Sequence, residues 1–145
     1  YRGYIDYHHN TDRLSFGVVG LEALAIDSSR NATFAGTVSD SKGDVRDIPV
    51  VGKSSSYTLV ASDAGKAIYI STGGVTIPAS VLSGGKAVTI LNDSSSDQTI
   101  TQGSGFTLHH SADATTGNRT LAGRGMATIL FTGTTAGYIS GAGLS

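Results

Sequence analysis

Apolar and polar side chains alternate in short runs along residues 3–36 of the chain. After a polar turn at residues 10–12, Leu14 and Phe16 share one face of a strand, and a further alternating run begins at Leu21. Period-two alternation interrupted by Asn, Asp, Ser and Gly is typical of antiparallel strands joined by tight turns. Residues 3–36 are therefore predicted to form an antiparallel β meander.

This meander is too short to enclose a hydrophobic core by itself. A folded segment of about 35 residues usually needs disulfides, a metal or partner chains, because it buries too little apolar surface. The chain contains no cysteine, so disulfides are not available. We therefore expect the meander to be completed by other copies of the same chain, in an intertwined fibrous assembly.

From residue 57 onward, short strands recur about every ten residues, as in a compact β-sandwich or barrel. The predicted strands are Tyr57–Val60, Ala67–Ile70, Val75–Ile77, Ala87–Asn92, Gln98–Gln102, Phe106–His109, Met126–Thr132 and Gly137–Ser140. The predicted core side chains are Leu59, Ile68, Ile70, Val75, Ile77, Val88, Ile90, Ile100, Leu108, Leu121, Ile129 and Phe131. That many aliphatic residues predict one modest core over this half of the chain.

Helical signals are almost absent, so the predicted fold class is all-β. Pro78–Leu82 and Ser62–Gly65 could each form a single turn and no more. Residues 37–56 are polar, turn-forming and extended, which is typical of a connector. The predicted organisation is a stem at 1–36, a connector at 37–56 and a head at 57–145, with a boundary near residue 55.

Composition excludes several classes of function. The net charge is −1 and the basic residues are scattered, which argues against nucleic-acid binding through a basic surface. No apolar run approaches the roughly 18 residues that span a bilayer, and no signal peptide is visible, so no membrane insertion is predicted. The absence of cysteine fits synthesis in a reducing cytoplasm. The chain begins at Tyr1 within a strand-like pattern, so we expect it to be the C-terminal part of a longer polypeptide.

Several short motifs in the stem are found together in one known class of proteins. They are Gly3-Tyr-Ile-Asp-Tyr-His-His9, Leu14-Ser-Phe16, Gly20-Leu-Glu-Ala-Leu-Ala-Ile-Asp-Ser-Ser-Arg-Asn31 and Phe34-Ala-Gly36. In this order they resemble a segment common in bacteriophage tail fibres and related appendages. The stem departs from that family at Arg30, where Gly is usual. A side chain at a positive φ there would cost about 1 kcal/mol, unless Asn31 takes the left-handed position.

The head resembles a module found at the C-terminus of many phage tail-fibre proteins. The matching pieces are Tyr57-Thr-Leu-Val-Ala-Ser-Asp-Ala-Gly-Lys66, Val75-Thr-Ile-Pro78, Gly105-Phe-Thr-Leu108 and Ile139-Ser-Gly-Ala-Gly-Leu-Ser145. The resemblance implies an intertwined homotrimer with a β-sandwich-like, jelly-roll-like head. It also implies a virion location in the tail fibre, synthesis in the host cytoplasm, and contacts with other virion tail proteins. The head would attach the phage to a host surface polysaccharide or lipopolysaccharide.

The polar loop that follows His109-His110 is the predicted receptor-binding site. Loops often carry function, and this one is long for a hairpin and rich in groups that hydrogen-bond sugars. The predicted receptor-binding residues are His109, His110, Asp113, Asn118 and Arg119. A weaker alternative is the loop at residues 92–98. Tyr69 and Tyr138 are interpreted as half-buried structural side chains rather than sugar platforms.

No enzyme, cofactor or resident metal is predicted from the sequence. Glu22 is the sole glutamate, and no Gly-x-Ser-x-Gly motif with a partnered histidine is present. His8 or His9 could form a metal site only if threefold symmetry repeated one of them around an axis. Two alternatives to an adhesin remain open. One is a structural virion module, such as a capsid decoration or fibre-joining domain, and the other is a fragment of a glycan-degrading tailspike.

Overall fold

The computed structural model describes residues 2–41, 43–45 and 47–145, and it shows an all-β chain, as predicted. Two compact units are present, the N-terminal unit Tyr1–Asp47 and the C-terminal unit Ile48–Ser145. The predicted connector is divided between them, because its last residues form a strand of the C-terminal unit's sheet. The extended segment 48–53 therefore contributes to the second unit rather than only linking the two.

The N-terminal unit is an antiparallel meander, which confirms the prediction for residues 3–36. Its strands are β1 (Gly3–His8), β2 (Arg13–Val18), β3 (Leu21–Ile26) and β4 (Ala32–Phe34). They pair in chain order, each with the next. A two-stranded hairpin follows, formed by β5 (Ser39–Asp40) and β6 (Gly43–Asp44).

One face of the meander is apolar and uncovered. The register aligns Ile5, Phe16, Leu24 and Phe34 across the four strands. Ile5 is 72% exposed and Phe34 51% exposed. Among the described residues of this unit, Ala25 is the one hydrophobic residue that is buried. The N-terminal unit therefore has no hydrophobic core of its own.

The opposite face of the meander is polar and covered by its own side chains. Arg13 forms an ion pair with Glu22, and the Ser15 hydroxyl donates to Glu22 Oε2 at 2.9 Å. A bulge between Phe16 and Gly17 brings Glu22 opposite Gly17. The Tyr4 ring lies where a side chain at Gly17 would stand, so a larger residue at that position would have to displace the ring. The polar side chains of this face find partners within the same chain, whereas large side chains of the apolar face remain exposed.

The turn before β4 shows how the chain accommodates Arg30. Arg30 itself adopts the left-handed conformation, with φ of 71°. Asp27 holds the turn, since its Oδ1 accepts from the Asn31 amide at 2.9 Å and its Oδ2 accepts from Asn31 Nδ2 at 3.0 Å. These hydrogen bonds hold the pKa of Asp27 below its usual value. The turn keeps the glycine-type geometry even though the residue is arginine.

The C-terminal unit is built from strands with one short 3₁₀ turn at Ala61–Asp63. Its strands are β7 (Val50–Lys53), β8 (Tyr57–Thr58), β9 (Ala67–Ile70), β10 (Val75–Ile77), β11 (Ala87–Asn92), β12 (Gln98–Gln102), β13 (Thr107–His110), β14 (Arg119–Phe131) and β15 (Ala136–Leu144). Strands β9 to β12 have the predicted bounds. Strand β14 is much longer than predicted, because it starts at Arg119 rather than Met126.

Alternate strands along the chain belong to two arms of one sheet. Strands β7, β9 and β11 are parallel neighbours in one arm, and β8, β10 and β12 are parallel neighbours in the other. The long strand β14 joins the arms, pairing antiparallel with β11 and with β12. Strand β15 pairs with β14 and lies parallel to β13. The sheet is nearly closed, and its mixed pairing does not show the jelly-roll-like arrangement that was expected.

The interior of the nearly closed sheet is the hydrophobic core of the molecule. Every predicted core side chain is at most 1% exposed, which confirms that prediction. Phe106 and Phe131 add an aromatic contact, with ring centroids 5.5 Å apart. Leu82 and Ile139 are also buried in this core. The C-terminal unit therefore encloses an apolar interior without help from another chain.

A buried asparagine secures the junction between the two arms. Asn92 is 0% exposed, and its Nδ2 lies 2.8, 3.0 and 2.9 Å from the carbonyl oxygens of Ser96, Leu121 and Ala122. Its Oδ1 accepts from the Ser94 amide at 3.0 Å and from the Ser94 hydroxyl at 2.7 Å. The bulge of β14 lies between Leu121 and Met126. Asn92 therefore satisfies backbone groups that the bulge leaves unpaired.

Replacing Asn92 by Asp is expected to lower the free energy of unfolding by roughly 3 kcal/mol, because a carboxylate cannot donate to these buried carbonyls. Urea unfolding at a fixed chain concentration would measure the loss. Asn118→Asp is the matched control, since the exposed Asn118 uses only its Oδ1 as an acceptor in the described contacts. Equal stability of the two variants would contradict the role assigned to Asn92.

Candidate functional site

The predicted receptor-binding residues lie at the end of β13, in the loop that follows it and at the start of β14. The loop folds back along β13 instead of extending into solvent. The His110 amide donates to the Thr115 carbonyl at 2.8 Å, and the Ala114 amide donates to the His110 carbonyl at 3.0 Å. Ala114 takes the left-handed conformation, with φ of 60°, and this tightens the return of the chain. The loop is therefore a compact element of fixed geometry.

Three of the five predicted residues are joined through one threonine. Asp113 Oδ1 lies 3.0 Å from His110 Nδ1, and it accepts from the Thr115 amide at 2.9 Å and the Thr115 hydroxyl at 2.7 Å. Arg119 Nη2 donates to the Thr115 hydroxyl oxygen at 2.8 Å. The hydrogen bonds from Thr115, followed by that with His110, hold the pKa of Asp113 well below its usual value. Asp113 is therefore a carboxylate at ordinary pH.

Asn118 belongs to the same loop but points to a different partner. Its Oδ1 accepts from the Gln102 amide at 2.9 Å, and Gln102 Oε1 accepts in turn from the Leu108 amide at 2.8 Å. This side chain fixes the loop against β12 and β13. Its amide nitrogen has no partner among the described residues, so Asn118 can still donate outward.

His109 is separated from the other predicted residues. Adjacent side chains on a strand point to opposite faces, so His109 leaves β13 on the side away from His110. Its ring stacks on Tyr138, with centroids 4.8 Å apart and an interplanar angle of 20°. The structure therefore brings the side chains of His110, Asp113 and Arg119 together, while His109 pairs through its backbone with Thr116 of the loop and directs its ring to Tyr138.

The surface of this loop can bind hydroxylated or anionic groups. The side chain of Asp113 is 51% exposed, while that of His110 is only 11% exposed. Arg119 Nε is buried and has no hydrogen-bond partner in the described part of the chain. A carboxylate, a guanidinium and exposed hydroxyls within one fixed loop are the donors and acceptors that a sugar or a phosphate sugar would use.

In the alternative loop at residues 92–98, several polar side chains hydrogen-bond or pair with other parts of the chain. Asn92 is fully buried at the junction of the arms, as described above. Gln98 is 8% exposed, and its Oε1 accepts from the Gly74 amide at 3.1 Å. Asp93 is paired with Arg124 at 2.8 Å. Polar composition alone suggested that this loop could bind a receptor. Its two side-chain amides, those of Asn92 and Gln98, instead hydrogen-bond to backbone groups.

The N-terminal histidines contact neighbours on their own strand. His8 Nε2 lies 2.9 Å from Asp6 Oδ2, and the His9 ring meets the Tyr7 ring edge to face at 4.8 Å between centroids. Within the described residues, no group of three or more His, Cys, Asp or Glu side chains is placed to hold a metal ion. A site shared between three copies, with one histidine from each, stays a prediction.

A buried acid near the start of the C-terminal unit was not identified from the sequence. Asp63 is 2% exposed, and its Oδ2 accepts from the Tyr57 hydroxyl and the Val60 amide, both at 2.8 Å. Burial and the hydrogen bond to Asp63 raise the pKa of Tyr57 to about 12. The pair ties β8 to the 3₁₀ turn, so its role is structural. The spacing Tyr57-x₅-Asp63 carries no signal by which it could have been found.

Comparisons with known proteins found no match for the chain. No protein-family model matches it, and no match was found among curated proteins or among solved structures. Over the described residues, no helix has the length and apolar character needed to cross a bilayer.

The Asp113 carboxyl is expected to titrate below the ordinary Asp value of about 3.9. Its contribution to loop stability is complete above that ordinary value and is lost as the pH falls through the lowered pKa. Thr115→Val removes the hydroxyl donor, so the midpoint should rise toward the ordinary value. Carboxyl ¹³C shifts recorded by NMR across the acid range would measure it.

Thr116→Val is the matched control for this titration, because Thr116 is an exposed neighbour in the same loop and makes no described hydrogen bond to Asp113. It should leave the midpoint where it is in the unaltered chain. An unchanged midpoint in Thr115→Val would mean that Thr115 does not stabilise the carboxylate.

Proposed function

We propose that this chain is the C-terminal part of a bacteriophage tail fibre, a homotrimer that attaches the virion to a surface polysaccharide or lipopolysaccharide of its bacterial host. The observation that carries the proposal is the uncovered apolar face of the N-terminal sheet. That sheet has regular strands and a polar face held by its own hydrogen bonds, yet its large apolar side chains have no hydrophobic core to join among the described residues of the N-terminal unit.

Association of copies is the simplest way to cover that face. A contiguous apolar patch on a monomeric protein is usually a site of interaction. Burying one large aliphatic or aromatic side chain contributes about 1.5–3 kcal/mol, so a row such as Ile5, Phe16, Leu24 and Phe34 supports a stable assembly. Three copies packed by these faces would form a fibre segment from strands that cannot fold alone. The motifs of residues 3–36, which resemble phage fibre stems, favour three copies over two.

Adhesion is proposed for the loop that contains His110, Asp113, Asn118 and Arg119. The loop has a fixed backbone, so little entropy would be lost when a sugar binds. His109 faces away from it and is not needed for this contact. One such site is expected to be weak, but three on one rigid particle raise the effective concentration of each for the next. The mechanism is multivalent binding, with no bond made or broken.

One observation favours a structural virion module as the second candidate. Asp113 accepts hydrogen bonds from Thr115 and lies 3.0 Å from His110 Nδ1, so the exposed acid of the loop already has partners within the chain. A loop of that kind could equally serve a joining role, in which the C-terminal unit binds another virion tail protein. The two candidates share the trimer and differ in what the loop contacts.

The chain is expected to run as a trimer, with about three times the 14.7 kDa of one copy, in size-exclusion chromatography with light scattering. Phe34→Asp places a charge on the apolar face and should shift the mass toward that of one copy. Thr33→Asp is the matched control, because Thr33 is an exposed neighbour on the other face of β4. A single-copy mass for the unaltered chain would overturn the proposal.

The adhesin proposal predicts that the labelled trimer binds cells in a panel of bacterial strains with different surface polysaccharides. Arg119→Ala should lower binding to the susceptible strain by roughly tenfold or more with the trimer intact, because the loss is repeated in three linked sites. Arg124→Ala is the control, since that exposed arginine pairs with Asp93 outside the loop.

Binding to no strain, together with capture of purified tail protein, would favour the structural module. Release of oligosaccharide from purified polysaccharide would instead indicate a tailspike activity. Equal binding by Arg119→Ala and Arg124→Ala would remove the loop from the proposed contact.

A further inference from the structure

The outer surface of the C-terminal unit has a second apolar area, formed by the outward side chains of β7, β9, β11, β15 and the Met126–Leu130 part of β14. We call it the uncharged face. Strand register places Tyr69, Leu91 and Met126 side by side across three strands. Tyr69 is 37% exposed, Met126 51% and Leu130 50%. Alternation along β14 sends these side chains outward while Ala127 and Ile129 enter the core.

No outward side chain on these described strands is Asp, Glu, Lys or Arg. Charged residues make up 14% of this chain, and none of them points outward from these five described strand segments. The nearest charges at the end of β11 are Asp93 and Arg124, which pair with each other at 2.8 Å. The hydroxyls of Thr89 and Thr128, in the middle of the face, hydrogen-bond to each other at 2.9 Å.

The uncharged face has a shallow depression at one side. Its volume is about 220 Å³, and it is lined by Ile48, Val50, Ala67, Tyr69, Thr89, Leu91 and Met126. Ile48 is 65% exposed and Val50 56% exposed at its rim. Apolar side chains at a rim and in the hollow beside it can interdigitate with the same features on another copy.

We propose that the uncharged face is a contact between copies of this chain, an inference that rests on the proposed trimer and identifies the surface of the C-terminal unit that takes part in it. Around a symmetry axis, each side chain near the axis meets its own copies. A charged residue there would face identical charge, whereas an uncharged apolar face meets itself without repulsion. An anionic partner would need the cations that the outward side chains of these described strands lack.

The size of the face fits a shared interface. The face has about 14 outward positions: two each on β7 and β9, three each on β11 and β14, and four on β15. With strands about 4.8 Å apart and positions about 6.8 Å apart along each strand, they cover roughly 450 Å². The apolar face of the N-terminal sheet covers roughly 300 Å² by the same spacing. A stable interface buries about 800 Å² on each partner, and the two faces sum to roughly 750 Å², which is close to that value, whereas neither face approaches it alone. Each unit thus supplies part of the surface that three copies need.

Thiol protection tests the assignment directly, because the chain contains no cysteine and one introduced thiol can be followed without interference. Met126→Cys is introduced into the full chain, and its reaction with a maleimide is followed at neutral pH. A thiol buried between copies should react roughly tenfold or more slowly than an exposed one. Thr99→Cys is the matched control, since Thr99 is an exposed strand residue on β12, outside the uncharged face.

The outcomes separate this inference from the proposed function. A trimer in which both thiols react equally fast would overturn the uncharged face as a contact and leave the trimer standing. A single-copy mass with equally fast thiols would overturn both. A trimer in which Met126→Cys is protected, and in which 2 M urea below the unfolding midpoint restores its reactivity as the mass falls to one copy, supports the inference.

Discussion

An antiparallel sheet has two faces, and the N-terminal unit can cover only one of them. Arg13, Ser15 and Glu22 finish the polar face, while Ile5 and Phe34 remain exposed on the other. Hydrophobic burial is the main favourable term in folding, so a sheet of this kind needs an apolar surface supplied from outside its own unit. The C-terminal unit buries the apolar face of its own sheet, because that sheet curves until its two arms enclose a core.

The sequence allowed the strands and core of the C-terminal unit to be predicted but not their pairing. Val88 and Ile90 are two positions apart, with the polar Thr89 between them, and this spacing marks an inward face wherever the strand lies. It does not say whether the next strand is a hairpin partner or lies in the other arm. Residues 71–74 carry the chain from β9 across to β10 instead of turning it back. The length of β14 was missed because Gly123 and Gly125 interrupt the alternation at its bulge.

The sequence predicted most residues of the candidate site, but not how their side chains are arranged. Polar character located the loop after His110, but both histidines of the pair were predicted to contact the receptor, whereas alternation along β13 directs their side chains to opposite faces. The hydrogen-bond partners of the site residues depend on which residues the fold brings close together, and the sequence pattern does not show this. Thr115, which joins Asp113 to Arg119, was not singled out, and Asn92 was counted among available polar groups although the bulge of β14 uses it fully. Hydrogen bonds between residues about 30 positions apart leave no local pattern.

The position of β14 has a consequence for how the protein is made. Until Arg119–Phe131 leaves the ribosome, the arms that end in β11 and β12 each present an open strand edge. Parallel pairing over long separations is slow, and unpaired edges recruit other chains. During translation the nascent chain therefore carries two unpaired strand edges and the exposed apolar face of its N-terminal sheet. On a polysome, several copies of this chain are held close together. That proximity would favour association between copies over aggregation with unrelated proteins.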